Sequence, residues 1–190
     1  MTEHESGACS PLSHTEAGEN AGFFCVQTSA RRVLGIDPGL ASTGFGIVDC
    51  IENRCVLAAY GCIETAPGTP RAERLLAIHK RLCAVIEEFR PQAASMETLY
   101  FSRNAVSALA VAEARGIAAL CTAQYGIPLA EYTPNIIKQS VSGTARAGKQ
   151  LVQECVKLLL GLETIPSPDH AADALAAAIT HIHYHGLQIR

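Results

Sequence analysis

Three acidic residues stand inside or at the end of apolar segments, where an isolated charge is costly to bury. Asp37 closes the run RRVLGID, Glu97 lies in AASMETLY, and Asp173 lies in an alanine-rich stretch near the C-terminus. Each acid alone could pair with an arginine or cap a backbone segment, and for a single residue that explanation suffices. Three acids in separate apolar elements are better explained by one shared site, because a bound cation offsets the cost of burying several carboxylates together.

The last helix adds either a histidine or a fourth acid to this set. We expect Ser167 to be its N-cap, Pro168 its first residue, and the helix to run to about residue 185. His170 lies three residues and Asp169 four residues before Asp173, so either can share a helix face with it. Asp169 lies in the first turn, where a carboxylate complements the helix dipole without a catalytic role. We therefore expect His170 in the site and Asp169 supporting it from outside.

The ligand types in this set favour a hard divalent cation. Carboxylate oxygens suit Mg²⁺ or Mn²⁺, and one imidazole shifts the preference slightly toward Mn²⁺. Two such ions would activate water, bridge a scissile phosphate and stabilise the leaving 3′ oxygen in an in-line displacement. The residues therefore predict metal-dependent phosphodiester hydrolysis, with Asp37, Glu97, His170 and Asp173 as both the catalytic and the metal-binding residues.

The elements that carry these residues follow the order of an α/β domain. Three β-rich runs begin near residue 31, and an amphipathic helix spans residues 70–90. A fourth strand in AASMETLY, a long helix capped by Asn104, and a fifth strand in IPLAEYTP come next, and three further helices end the chain. This order predicts a mixed five-stranded sheet flanked by helices.

The composition indicates one globular domain preceded by an extension. The chain has 190 residues, of which 48% are hydrophobic and 17% charged, which is enough for a single buried core. Residues 1–30 show no sustained period and carry four glutamates without any lysine or arginine, so we expect a flexible extension before a domain at 31–190. The domain then holds all 15 basic residues against 14 of the 18 acidic ones. Its near-neutral charge gives only weak support for a polyanionic partner.

The eight cysteines include no CxxC pair, which argues against zinc ribbons and redox dithiols. Several of them, including Cys62, Cys83, Cys121 and Cys155, lie in apolar periodic segments, where a free cysteine behaves as a small hydrophobic residue. No apolar run approaches the roughly 20 residues of a membrane-spanning helix, and the first residues lack the features of a signal peptide. We therefore expect a reduced, cytoplasmic protein that is not associated with a membrane.

Four segments resemble the signature segments of the RuvC family of Holliday-junction resolvases, in the same order and at compatible separations. They cover nearly all of residues 32–185 and read GIDPGLASTGFGIVD, METLYFSRNAVSALAVAEARG, TPNIIKQSVSGTARAGKQLV and DHAADALAAAITHIH. The resemblance implies a ribonuclease H-like fold, a bacterial homodimer and a divalent metal. It also implies paired symmetric nicks across four-way junction DNA during recombination and repair, and a branch-migration complex, RuvA and RuvB, as partner.

The same resemblance implies roles for single residues in the metal site. Asp37, Glu97, His170 and Asp173 fall on the four metal-site positions of the family. In some members the third of these positions is an aspartate, so His170 is a variant within the pattern. Whether His170 binds metal or shuttles a proton therefore stays open.

Five further residues are expected at the DNA. Tyr100 matches a position whose aromatic ring stacks on bases at the opened junction. Lys138 and Lys149 match positions that contact DNA near the active site, and Lys149 also follows a glycine-containing loop and precedes a helix, which suits phosphate contacts. Arg103 and Arg146 lie nearby in the sequence and are expected to share this role.

Three other classes of protein share parts of this sequence pattern or the fold it predicts. IDPGLASTG also resembles the phosphate-binding hairpin of actin-like ATPases and sugar kinases, but those proteins need two such lobes. A single-lobe nuclease acting on ribosomal RNA precursors shares this first motif, and a junction-binding module with an inactive site would share the fold. The TLYFSRNA and DHAADAL segments favour the resolvase. We expect Gly39, Gly44 and Gly46 to serve turns and close strand packing rather than a phosphate cradle.

Overall fold

The computed structural model describes residues 31–98 and 105–185, without the side chains of residues 105–107, and shows a mixed sheet with helices on both faces. The strands are β1 (Arg31–Asp37), β2 (Ser42–Ile51), β3 (Arg54–Glu64), β4 (Ala93–Glu97) and β5 (Leu129–Tyr132). The helices are α1 (Arg71–Phe89), α2 (Ala105–Gln124), α3 (Pro134–Ser142), α4 (Lys149–Leu159) and α5 (Asp169–His185). The predicted element order and the mixed five-stranded sheet flanked by helices are confirmed.

The sheet places the ends of β1 and β4 beside each other at its centre. Its strand order is β3-β2-β1-β4-β5. β1, β2 and β3 form an antiparallel meander, whose second turn is made by Glu52 and Asn53, both with positive φ. β4 runs parallel to β1 and to β5. Because parallel strands end at the same edge, the residues that close β1 and β4 are neighbours.

Two hydrophobic cores lie on opposite faces of the sheet. On one face, α1 and α2 cover the apolar side chains of β1 and β4, with Ile78, Leu82 and Ile86 of α1 fully buried. On the other face, α3, α4 and α5 pack together over β1 and β2. α5 is the central element of this second core, since all its residues from Ala174 to Ile182 are buried.

Glycines let α5 pack unusually close to the sheet. A Cβ atom added at Gly35 would lie 1.9 Å from the Ala174 carbonyl oxygen, and one added at Gly44 would lie 2.0 Å from the His170 carbonyl oxygen. At Gly46 the added atom would lie 2.7 Å from the side chain of Leu175. Any side chain at these positions would therefore push the helix away from β1 and β2. The small residues on both sides fix the height of α5 above the strands.

The start of α5 differs slightly from the prediction. The helix begins at Asp169, so Pro168 is the residue before it rather than its first residue. The Pro168 carbonyl accepts a hydrogen bond from the Ala171 N–H at 2.9 Å, which makes Pro168 the capping position. Asn104, the expected cap of α2, lies outside the described residues. Within the part of the chain that is described, no helix combines the length and the apolar character needed to cross a bilayer.

Candidate active site

Two strand ends supply the first two acids of the site. Ile36 and Met96 are register partners in the parallel pair β1 and β4, so Asp37 and Glu97, which follow them, leave the sheet side by side. Asp37 also lies opposite Gly44 of β2. The backbone of the sheet therefore brings together two carboxylates that are 60 positions apart in the chain.

The first turns of α5 supply a histidine and a third acid. His170 Nδ1 lies 2.6 Å from Asp37 Oδ2, a short hydrogen bond between residues 133 positions apart. Asp173, one turn further along the helix, is half-buried; beyond the effect of burial, its charge raises the pKa of Glu97, and the charge of Asp37 raises the pKa of Asp173. The close packing of α5 on Gly44 holds these two side chains at the edge where β1 ends. All four predicted metal-site residues therefore converge.

Lys149, at the first residue of α4, faces the acids of α5. Its Nζ lies 3.0 Å from Asp169 Oδ2 and 3.3 Å from Asp173 Oδ2. Asp169 also accepts a hydrogen bond from Gln153 at 3.0 Å, so it is held on the outer side of the cluster. The structure therefore places His170 against Asp37 and Asp169 against Lys149.

The carboxylates make each other harder to ionise. Burial raises the pKa of Glu97, and the negative charges of Asp37 and Asp173 raise it further. Burial likewise raises the pKa of Asp173, against the opposing effect of Lys149. The pKa of the exposed Asp169 is instead lowered, mainly by its hydrogen bond with Lys149. Like charges that raise one another's pKa form a site at which a cation gains the most from binding.

The cluster opens into two cavities that share Glu97 and Pro134. One, of about 230 Å³, is lined by Glu97, Asp173, Lys138 and Lys149. The other, of about 250 Å³, is lined by Asp37, Glu97 and Arg115. Larger grooves exist on the surface between α1 and α2, but they contain none of the converging acids. The two smaller cavities are therefore the space in which a reacting group would meet these residues.

The expected DNA-binding residues are placed unequally. Lys138 of α3 is half-buried in the cavity wall, and its charge lowers the pKa of Glu97 against the larger effect of burial. Arg146 is exposed in the loop between α3 and α4, and it is not among the described residues that line either cavity. Tyr100 and Arg103 lie outside the described residues.

Arg115 is a residue that the sequence analysis did not single out. Its Nη1 donates to the Glu97 carbonyl oxygen, and its Nη2 lies 2.7 Å from Glu131 Oε2. It also lines the cavity that contains Asp37. A lone arginine in an alanine-rich helix is the signal that could have indicated it, since such a charge needs a partner when the helix packs on a sheet.

The arrangement has the chemistry of a cation site for phosphate. Three carboxylates and one imidazole offer oxygen and nitrogen ligands of the kind that hard divalent cations accept. Lys138, Lys149 and Arg115 surround these acids with positive charge. The acids can bind a cation, and the bases around them can bind an anion. The site is therefore suited to a phosphodiester substrate.

Comparison with known proteins points to one family. A family model described as crossover junction endodeoxyribonuclease RuvC matches residues 33–181. The crossover junction endodeoxyribonuclease RuvC of Treponema denticola is 55% identical over 150 residues, which cover 79% of this chain and 84% of that protein. That of Pelotomaculum thermopropionicum is 48% identical over 153 residues, covering 80% and 93%. A solved structure of Thermus thermophilus RuvC in complex with a Holliday junction substrate matches with a TM-score of 0.78 and 35% identity, covering 83% of this chain and 96% of that one.

Proposed function

Because this chain belongs to the RuvC family of crossover junction endodeoxyribonucleases, we propose that it is a Holliday-junction resolvase. It hydrolyses DNA phosphodiesters and makes paired symmetric nicks in four-way junctions during recombination and repair. The observation that carries this function is the convergence of Asp37, Glu97, His170 and Asp173 from three elements. Family membership decides against the actin-like ATPase and ribosomal RNA nuclease alternatives, and four chemically competent site residues argue against an inactive junction-binding module.

Asp37, Glu97, His170 and Asp173 are the residues that would hold the catalytic metal. These residues suit a metal ion because burial and the repulsion between carboxylates raise the pKa of Glu97 and Asp173. A bound cation would remove this cost of ionising the two acids. The proposed ion is Mg²⁺, with Mn²⁺ as the alternative that the imidazole also suits, and two ions are proposed for each site. A bound ion would supply Lewis acidity and neutralise charge at the scissile phosphate.

His170 is the residue best placed to move a proton. When Nδ1 donates to Asp37, which it meets at 2.6 Å, Nε2 keeps a lone pair. That atom can accept a proton from the attacking water or bind a cation, and the Asp37 contact fixes the orientation of the ring in both cases. The geometry serves both of the roles expected from the sequence.

The basic residues at the rim are proposed to position the DNA. Lys138 and Lys149 line the cavity that contains Glu97 and Asp173, so a phosphate entering it would meet two ammonium groups. Lys149 would exchange its contacts with Asp169 and Asp173 for this phosphate. Arg146 in the exposed loop is proposed to contact the backbone further out. Tyr100 and Arg103 complete the proposed DNA-binding set on sequence grounds alone.

The symmetry of the substrate implies two copies of the site. A four-way junction is nicked at two symmetric positions, so we propose a homodimer that presents one site to each. A branch-migration complex of RuvA and RuvB is proposed to supply the junction. The proposed location is the cytoplasm of a bacterium, where chromosomal junctions form. Sedimentation of the full chain at working concentration would reveal a monomer if the dimer were wrong.

Cleavage of a synthetic four-way junction tests the proposed function. Each strand is labelled in turn, and the full chain is incubated with Mg²⁺, with Mn²⁺ or with chelator. We expect paired, ligatable nicks only with metal, and a loss of at least about 100-fold in Asp37→Asn while junction binding persists. Glu163→Gln, which neutralises an exposed acid outside the cavities, is the matched control and should cut normally. Normal cutting by Asp37→Asn would remove Asp37 from the site.

A further inference from the structure

A second cluster of ligating side chains lies between α1 and α2, on the face of the sheet opposite α5. His79 and Cys83 are one helical turn apart on α1, and Cys121 and Gln124 are one turn apart on α2, so both pairs face the seam between the helices. Cys121 is fully buried, whereas His79 and Cys83 are half-buried and Gln124 is exposed. None of these residues takes part in the proposed nuclease chemistry.

The distances from Cys83 Sγ to the other donor atoms are close to those between the ligands of a small ion, whereas the His79 Nε2–Gln124 Oε1 hydrogen bond of 2.8 Å would have to lengthen on binding. Cys83 Sγ lies 3.6 Å from Cys121 Sγ, 3.7 Å from His79 Nε2 and 3.9 Å from Gln124 Oε1. All the histidine and cysteine donor atoms lie within 4.8 Å of one another. Tetrahedral zinc with Zn–S near 2.3 Å and Zn–N near 2.0 Å separates its ligands by roughly 3.3–3.8 Å.

We propose that His79, Cys83 and Cys121 form a binding site for a thiophilic divalent cation of the zinc class, with Gln124 Oε1 in the fourth position. Two thiolates balance the charge of the ion, and a neutral imidazole and a neutral amide add none. The complex is therefore uncharged, which suits a site beside the buried core formed by α1 and α2. Sulfur ligands exclude Mg²⁺, so this site and the carboxylate site select different metals.

The site has a route from solvent and acts as a clamp between two helices. A groove of about 460 Å³, lined by His79, Cys83, Gln124 and Tyr125 among others, opens onto the cluster. An ion entering it would meet the half-buried ligands first and the buried Cys121 last. Because two ligands come from each helix, a bound ion would hold α1 against α2.

Binding must displace protons, because each thiol acts as a hydrogen-bond donor in the metal-free protein: Cys83 donates to Cys121 Sγ and Cys121 donates to a backbone carbonyl. Burial, followed by the interaction with the Cys83 thiol, raises the pKa of Cys121 to about 12. The Cys121 thiol donates to the His79 carbonyl oxygen at 3.7 Å in this state. One ion and two thiols therefore give two metal–sulfur bonds and two released protons. Because binding releases protons, the apparent affinity should rise with pH.

Co²⁺ and Zn²⁺ titrations of the reduced full chain test this proposal. Excess Mg²⁺ is present throughout to occupy the carboxylate site. We expect one Co²⁺ per chain, with a thiolate-to-cobalt charge-transfer band and the visible bands of tetrahedral Co²⁺, and displacement by one Zn²⁺. Zn²⁺ should also raise the melting temperature of the metal-free protein. Carboxylate ligands give no charge-transfer band, so the nuclease site is silent in this measurement.

Single variants identify the ligands. Cys83→Ala and His79→Ala, at half-buried positions that tolerate truncation, should weaken Zn²⁺ binding at least about 100-fold. Cys121→Ala should do the same, and its circular dichroism reports whether it folds. Cys155→Ala, which removes a cysteine packed on the other face of the sheet, is the matched control and should bind normally.

Three outcomes would overturn the proposal. The first is an absence of thiolate-bound Co²⁺ in the reduced wild type. The second is Zn²⁺ binding that is unchanged in Cys83→Ala. The third is a Zn²⁺ affinity that does not depend on pH. Formation of a Cys83–Cys121 disulfide without any Zn²⁺ binding in the reduced protein would assign the pair to redox chemistry instead.

Discussion

The contact between His170 and Asp37 distinguishes two neighbouring residues of the last helix. His170 reaches the carboxylate of Asp37, whereas Asp169 points outward to Lys149 and Gln153. We expect His170→Ala to lower the rate of junction cleavage at least about 100-fold, because it removes a ligand or a proton acceptor. Asp169→Asn should change the rate less than about fivefold, because an exposed ion pair contributes little.

Quantitative cleavage kinetics under single-turnover conditions would measure this difference. A third variant, His170→Asp, separates the two roles of His170, since a carboxylate can bind a cation but does not titrate near neutral pH. Retained cleavage in that variant would assign metal binding to the residue, and lost cleavage with retained metal affinity would assign proton transfer. Equal losses in Asp169→Asn and His170→Ala would contradict the placement of both residues.

The raised pKa of Glu97 makes this acid a destabilising element in the metal-free protein. Its pKa is raised first by burial and then by Asp37 and Asp173, so the folded state binds its proton more tightly than the unfolded chain. The contribution of the protonated acid to the free energy of unfolding is fully present below the pKa of Glu97 in the unfolded chain. It is lost as the pH rises through the pKa of Glu97 in the folded state. Without metal at about pH 8, Glu97→Gln should therefore increase the free energy of unfolding by about 1 kcal/mol.

Urea unfolding at two pH values and with or without Mg²⁺ would check this expectation. The advantage of the Glu97→Gln variant should shrink near pH 4, where the wild-type acid is protonated. Mg²⁺ should stabilise the wild type more than the variant, and the variant should not cleave junctions. Glu163→Gln, at an exposed acid, is the control and should show neither effect. A variant less stable than the wild type at pH 8 would refute the like-charge explanation.

At the scale of elements, the site depends on how closely α5 approaches β1 and β2. A methyl group at Gly44 would lie 2.0 Å from the carbonyl oxygen of His170, and this backbone cannot yield as a side chain could. We expect Gly44→Ala to reduce the free energy of unfolding by about 3 kcal/mol or more. Displacing the first turn of α5 would also separate His170 from Asp37 and abolish cleavage.

Gly68→Ala provides a matched substitution in an exposed turn. Among the described residues, no atom lies within 4 Å of a Cβ added at Gly68. Its unfolding midpoint in urea and its cleavage rate should therefore stay close to the wild type. An unchanged unfolding midpoint in Gly44→Ala would show that α5 does not need this close approach.

The sequence predicted the elements better than the contacts between them. Periodicity indicated all five strands and the helices, because burial on one side imposes a regular spacing of apolar residues. The glycines were assigned to turns and strand packing, yet Gly44 and Gly46 serve the packing of a helix on the sheet. That role depends on an element more than 100 positions away. The partners of Arg115 and Lys149 escaped prediction for the same reason, since no local pattern encodes them.

At the scale of the whole molecule, charge is divided between the first 30 residues and the rest of the chain. Residues 1–30 carry four of the 18 acidic residues and no lysine or arginine, while the rest of the chain has a net charge of +1. Three of its acids, Asp37, Glu97 and Asp173, line the cavities of the proposed metal site, and Lys138, Lys149 and Arg115 line the same cavities. A near-neutral domain can therefore still present a basic surface to DNA once cations occupy the carboxylates.

Two truncations test whether residues 31–190 form the complete nuclease. Arg32 forms a bidentate pair with Asp49, with both distances 2.7 Å, and donates to the Phe89 carbonyl at 3.0 Å. A chain beginning at Arg31 keeps these contacts, so its free energy of unfolding should stay within about 0.5 kcal/mol of the full chain. A chain beginning at Val33 loses them and leaves Asp49 without its partner, which should cost roughly 2–3 kcal/mol.

Junction binding by the two chains separates the electrostatic role of the extension from any structural one. Removing residues 1–30 changes the net charge from −3 to +1. Binding should therefore tighten at low ionic strength, and the gain should fade as salt screens the lost acids. Arg32→Ala in the full chain should reproduce the stability loss of the shorter truncated chain without this change in binding. A chain beginning at Arg31 that unfolds as readily as the one beginning at Val33 would move the domain boundary into the first 30 residues.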